Sequence, residues 1–207
     1  ADVYDLIQEY DNYIIAETFV KVEHALLGLE GTDIDKVTTV YSHPQGFMQC
    51  EKFLSKHKDW QQISQANTAG SAKKVLEEND KTHVAIASEE AAEVYNLSVL
   101  AKKINDLDNN TTRFVIVTNT RKFVKNAKKM SIVFETANEP GTLYNLLSHI
   151  IYNGLNMNKI ESRPIEGRPW EYRFFIDFEG NIDDPAVMNA LRGIQEEAKA
   201  IKLLGNY

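Results

Sequence analysis

The sequence predicts an α/β protein whose rhythm changes near residue 120, and three observations carry that expectation. Ahead of that point, short apolar runs alternate with helical patterns. Beyond it, the order becomes strand, helix, strand, strand, helix, strand. Between the two lies the basic run 121–129, a solvated linker in composition and the expected boundary between a region 1–119 and a region 120–207.

In the first region Val3, Leu6, Ile7 and Tyr10 stand at helical spacing, so the chain opens directly inside an amphipathic pattern and its start looks cut. Residues 13–16, 22–27 and 37–41 read as strands. Pro44 suits the first turn of a helix running to about residue 57, with Phe47, Cys50, Phe53 and Leu54 as its buried stripe. A strand over 60–64 and a helix over 68–79 follow, and then a strand over 84–87 and a helix opening on Ser88, Glu89 and Glu90. Strand followed by helix, three times over, predicts a largely parallel sheet. After a polar loop over 105–111 comes a strand over 114–118, in which Phe114 reads as core.

In the second region residues 130–135 form a strand, and Leu143, Leu146, Leu147, Ile150 and Ile151 mark a helix that Gly154 closes. Strands over 156–164 and 170–178 flank a hairpin-like turn at Gly167. Pro185 opens a last helix with Val187, Leu191, Ile194 and Ala198 inward, and 201–204 is the last strand. The order βαββαβ is the split-βαβ, ferredoxin-like arrangement. It leaves one helix-covered face and sheet edges that pairing with a second copy would protect.

Composition narrows the function classes. The 207 residues are 43% hydrophobic, enough for a globular core, and the net charge of −7 argues against a nucleic-acid groove. No run approaches the roughly 20 apolar residues of a membrane span, and no export signal stands at Ala1. Cys50 is the only cysteine, which fits a reducing, cytoplasmic setting. His24, His43, His57, His83 and His149 have no metal-ligand spacing, and no glycine-rich nucleotide motif occurs, so neither metal nor cofactor is expected.

Three ordered motifs, Asn110 with Thr112-Arg113-Phe114, Gly141-Thr142-Leu143-Tyr144 and Glu161-Ser162-Arg163-Pro164, resemble the signature set of prephenate dehydratases of phenylalanine biosynthesis. The similarity extends to Tyr41-Ser42-His43-Pro44-Gln45, Asn67-Thr68-Ala69-Gly70 and Ala87-Ser88-Glu89. It does not extend upstream: the family's glycine-rich strand-to-helix turn and Glu-Asn-Ser motif do not occur, and neither does the chorismate mutase domain of some members. The resemblance implies a periplasmic-binding-protein-like, two-lobed catalytic region, incomplete here, followed by an ACT regulatory domain. It implies prephenate as substrate, L-phenylalanine as effector and a homodimer or homotetramer. Turnover by the 207 residues alone should be feeble, and a purely regulatory, amino-acid-binding module is the alternative.

Prephenate is a dianion, and helix N-termini are ready anion holders. The sequence offers three, at Ser42 and His43, at Asn67-Thr68-Ala69-Gly70, and at Ser88, where Glu89 and Glu90 compete for the amides. Each also reads as an ordinary cap. By resemblance Thr112 assists departure of the ring hydroxyl, through hydrogen bonding rather than full proton donation. Arg113 either pairs a substrate carboxylate or holds the loop. His43 either contacts substrate or caps its helix, and Cys50 reads as a small buried hydrophobe. In the ACT region the resemblance gives the effector to Asn138, Gly141, Thr142 and Leu143 from one subunit, and to Asn156, Met157, Glu161, Ser162 and Arg163 from its partner. Thr142 stands where the commonest family version has alanine, adding a hydroxyl beside that site.

Overall fold

A computed structural model describes residues 2–207, which fall into two compact units, 19–112 and 2–18 with 113–207. The units do not follow one boundary near residue 119. The chain leaves the second unit along β1 (Tyr13–Lys21) and returns to it along β7 (Thr111–Thr118), so the segment ahead of residue 19 belongs with the C-terminal half.

In unit 19–112, β2 (Ala25–Gly28), β3 (Thr39–Ser42), β4 (Gln61–Ser64), β5 (His83–Ala87) and β6 (Ser98–Ala101) form a sheet in the order β4-β3-β5-β2-β6. Strand β3 is parallel to β4 and β5, whereas β2 is antiparallel to β5 and β6, so the sheet is mixed rather than largely parallel. Both faces are covered, and for that reason β2 and β3 are buried at every position instead of alternating. Leu27, Tyr41, Ala85 and Ala87 meet Ala72 and Val75 of α4 (Thr68–Glu78) and Ala91 of α5 (Glu89–Tyr95). Leu26, Val40, Val84 and Ile86 meet Cys50, Leu54 and Trp60 on the other side.

The helix expected over 44–57 is interrupted. It forms α2 (Pro44–Gln49) and α3 (Glu51–Leu54), with Cys50 at φ −123° between them. The break has a partner: the Asp106 carboxylate accepts from the Lys52 amide at 3.0 and 3.2 Å, capping α3 from the following loop. Burial pushes the Cys50 thiol up to about 12, with the charge of Asp106 adding to it, so the residue is an inert hydrophobe.

The other unit holds β8 (Lys129–Thr136), α6 (Thr142–Tyr152), β9 (Met157–Ile165), β10 (Arg168–Glu179), α7 (Pro185–Glu197) and β11 (Ala200–Asn206). This is the expected βαββαβ order, and the strands pair β11-β8-β10-β9. Phe134, Phe174, Ile176 and Phe178 pack under Leu146, Ile150, Val187 and Ile194 of α6 and α7. Gly154, at φ +70°, lets the chain leave α6, and the Leu155 amide reaches back to Ile150 O at 3.1 Å. The opposite face is not bare: α1 (Asp2–Glu9) lays Tyr4 and Ile7 against Val133 and Phe175. Beyond β11 the sheet continues through β1, which joins it in parallel with Ile14 opposite Gly205, and ends on β7. Phe114 is 51% exposed on that last strand, so an apolar residue in a strand pattern did not mean core.

Inside this unit a polar cluster ties five strands. Arg113 of β7 donates to Glu17 of β1, Asp177 of β10 and the Tyr207 hydroxyl after β11, each at 2.6 Å. Ser131 of β8 donates to the other oxygen of Asp177, and Lys129 pairs with Glu17. Asp177 is only 3% exposed. Burial works against the guanidinium's charge, yet the hydrogen bond and charge of Asp177 prevail and raise its pKa. Burial, with the charge of Asp177, raises that of Tyr207. For Glu17 burial pushes upward, but the hydrogen bond from Lys129 and the charge of Arg113 outweigh it, so the carboxyl lies below its ordinary 4.5.

Two outcomes are expected. A folded-state pKa below 4.5 means that Glu17 contributes stability above pH 4.5 and loses it as pH falls through the lower folded value. Glu17→Gln should therefore flatten the acid limb in denaturant titrations at pH 7, 4.5 and 3, and parallel limbs for variant and parent would contradict this. Gly205→Ala would set a Cβ 2.6 Å from Ile14 O. That overpacking should lower stability by about 1–3 kcal/mol in urea melts.

Candidate functional site

The N-termini of α2, α4 and α5 follow the carboxyl ends of β3, β4 and β5 respectively, as the strand–helix alternation requires. Those of α2 and α4 meet at Gly46, whose missing side chain leaves room for them. A Cβ there would lie 2.4 Å from Ser42 Oγ and 3.6 Å from Thr68 Cγ2. The caps themselves are in use. His43 Nδ1 accepts from the Gln45 amide at 3.1 Å, and Asn67 Oδ1 accepts from the Gly70 amide at 2.6 Å. Thr68 and Gly70 are half-buried, while Ala69 is exposed. Ser42 departs from its expected role: it is fully buried and its hydroxyl donates to Ile86 O at 3.1 Å, so it ties β3 to β5.

Thr112 is exposed near the start of β7. The residues just before it, Asn109, Asn110 and Thr111, share a cavity of about 640 Å³ with Gln45 of α2 and Lys52 of α3. Asn105 fixes this loop by accepting from the His24 amide at 2.6 Å and donating to Val22 O at 3.2 Å. A second cavity, of about 660 Å³, lies against Thr68 and Ser88 and is walled by Glu23, Glu89, Glu90 and Glu93. Four carboxylates make that one poorly suited to a dianion. Arg113 is expected either to pair a substrate carboxylate or to hold the loop. Within the chain its guanidinium is bound to Glu17, Asp177 and Tyr207, which ties β7 to its neighbouring strands.

A third cavity, of about 280 Å³, sits at the start of α6. It is lined by Asn138, Gly141, Thr142 and Leu143, as the motif suggests, and also by Trp170, Tyr172 and Phe174 of β10. Gly141 is at φ +85°, and a Cβ added to it would meet nothing within 4 Å, so backbone conformation rather than close approach requires glycine. No side chain caps α6, which leaves its first-turn dipole and amides available to an anion. The Thr142 hydroxyl turns back and donates to Ala137 O and Glu139 O, both at 2.9 Å, stapling the loop at the cavity wall.

The three rings on β10 were not among the expected site residues. Their i, i+2, i+4 spacing was the available signal, since alternate strand residues share a face. Asn156, Met157, Glu161, Ser162 and Arg163 do not line this cavity within the chain. Asn156 donates to Glu179, Met157 packs beneath α6 and α7, and Ser162 is exposed on edge strand β9. Glu161 lies between Lys159 and Arg163, at 3.0 and 3.1 Å. The hydrogen bond from Lys159 is the main cause that lowers the Glu161 pKa.

Comparison with known proteins places these motifs. The family described as prephenate dehydratase matches residues 1–122. A bifunctional chorismate mutase/prephenate dehydratase of Buchnera aphidicola is 35% identical, over 100% of this chain and 54% of its own length. A prephenate dehydratase of Methanocaldococcus jannaschii is 38% identical over 98% of the chain and 73% of its own length. Among solved structures, a prephenate dehydratase of Arthrobacter aurescens in complex with L-Phe superposes with a TM-score of 0.85 at 29% identity. It covers 94% of this chain and 65% of its own. A protein described as a novel type of quorum quenching acylase has a TM-score of 0.88 at 30% identity, over 99% of this chain and 75% of its own. The chain spans about half the length of several of the curated relatives it matches. With a family match over more than half its residues, and motifs in the family's order, this chain belongs to the prephenate dehydratase family.

Proposed function

We propose that the protein carrying this chain converts prephenate to phenylpyruvate, CO2 and water in the cytoplasm and is regulated by L-phenylalanine. The observation that carries the reading is the match to curated dehydratases along nearly the whole of this chain, a stretch that includes Thr112-Arg113-Phe114. In the reaction the ring carboxylate leaves as CO2, its bonding electrons enter the ring, and the ring hydroxyl departs as the ring becomes aromatic. Thr112 donates a hydrogen bond to the departing oxygen, which takes its proton from water. The N-terminus of α4, at Asn67, Thr68, Ala69 and Gly70, holds a carboxylate, and His43 stands at the neighbouring α2 start. No residue of the chain is assigned a metal or cofactor.

The Gly141 cavity is the effector site in this reading. The α6 N-terminus takes the amino-acid carboxylate, and Trp170, Tyr172 and Phe174 take the ring. Asn156, Met157, Glu161, Ser162 and Arg163 close the site from a second copy in a homodimer, or in a tetramer of such dimers. Regulation acts through whichever dimer arrangement L-phenylalanine prefers, and its reach is limited to the difference in affinity between the two.

Thr112→Ala should lower prephenate turnover by about 10²-fold or more while leaving the melting temperature unchanged, because the side chain is exposed. Turnover of the variant near the parental rate would overturn the role of Thr112. A protein that binds L-phenylalanine without any turnover would favour the purely regulatory reading. Calorimetry should show heat with L-phenylalanine and much less with D-phenylalanine. Gly141→Val should weaken binding on the order of tenfold or more, since a non-glycine held at such a φ costs about 1–3 kcal/mol. Equal affinity for parent and variant would count against the cavity.

A further inference from the structure

Strand β10 carries two things that the proposed function keeps separate. Near its start, Trp170, Tyr172 and Phe174 wall the Gly141 cavity, and five residues beyond Tyr172 stands Asp177. At the strand rise this is about 17 Å. The segment is hydrogen-bonded on both sides, with Tyr172 opposite Thr136 and Pro164, and Asp177 opposite Ser131 and Lys159. A strand held on both edges transmits a displacement along its length rather than absorbing it. Asp177 accepts from Arg113 Nη1 at 2.6 Å and from Ser131, and Tyr207 accepts from Arg113 Nη2 at 2.6 Å. Thr112 is the residue before Arg113 on β7.

We propose that Arg113 is a positioning residue, clamped by Asp177 and Tyr207, through which the state of the Gly141 cavity sets the position of Thr112. The proposal rests on the proposed roles of Thr112 and of the cavity, and adds the path between them. It accounts for a guanidinium that spends its donors on protein partners although it adjoins the residue assigned to the chemistry. It also accounts for a buried carboxylate within a sheet strand, where an apolar side chain would pack without needing a partner.

The test follows the Thr112 methyl resonance in threonine-methyl-labelled protein, with and without L-phenylalanine, while calorimetry reports binding. In the parent, L-phenylalanine should shift this resonance. In Asp177→Asn and in Tyr207→Phe, the heat should persist and the shift should be lost. Tyr207→Phe keeps the ring and removes only the hydroxyl, so it decides alone if Asp177→Asn does not fold. A merely structural role would move the resonance in the variants without abolishing its response to the ligand. Heat in the parent without a shift, or the same shift in parent and variants, overturns the proposal. Absence of heat in the parent overturns the effector reading instead. The clamp is then judged in ligand-free spectra, where a Thr112 resonance unchanged by Tyr207→Phe overturns it.

Discussion

Asp177 stands near the end of β10, 3% exposed, on the sheet face that also carries Phe175 and Val133. A carboxylate so placed is tolerable only when its charge and lone pairs are matched, and the matching is what draws the other strands in. Ser131 comes from β8, Arg113 from β7 and, through Arg113, Tyr207 and Glu17 from beside β11 and from β1. The last two strands of the six-stranded sheet, β1 and β7, bury Ile14 and pack Val115 against the core, but leave Phe19, Phe114 and Ile116 about half exposed. Their place rests on this charge network as well as on that core. Removing one member strands the others in low dielectric, a larger effect than losing one surface ion pair.

What the sequence made legible was local. The ferredoxin-like half follows from period-3.6 apolar stripes over residues 143–151 and 187–198, from left-handed glycines at 141, 154 and 167, and from strand runs between them. Strand direction is not written in composition, so a mixed sheet looked parallel. The four half-exposed residues of β6 offered no pattern to find. The pairing of Ile14 with Gly205 joins the two ends of the chain, and no window of neighbouring residues contains it. The break at Cys50 depends on Asp106, more than fifty positions away.

The candidate site divides in the same way. Cap residues announced themselves, because a cap is a contact between neighbours, and His43 and Asn67 do cap their helices. Which hydroxyls are free is a matter of packing: Ser42 lies buried against Ile86 O, and Thr142 is turned into its own loop. The aromatic wall of the third cavity needed the register of β10 against β8, which sets Tyr172 opposite Thr136 at the mouth of the Gly141 loop. A register shift interrupts the pairing of β10 with β9 between Arg168 and Tyr172, where Trp170 stands at φ +66°.

The double crossing through β1 and β7 has a consequence for synthesis on the ribosome. Residues 19–112 contain every strand of their own sheet, so that body can close as soon as Thr112 has emerged. The other body must hold residues 2–18 in waiting until β11 arrives, with Lys202 finally reaching Asp11 across 191 positions. Loop closure over such a span adds only logarithmically to the entropy cost, but it cannot begin before residues 200–206 exist. Helix α1 is thus made ahead of residues 19–112 yet secured after them, and until then Tyr4 and Ile7 are apolar surface without the sheet that covers them.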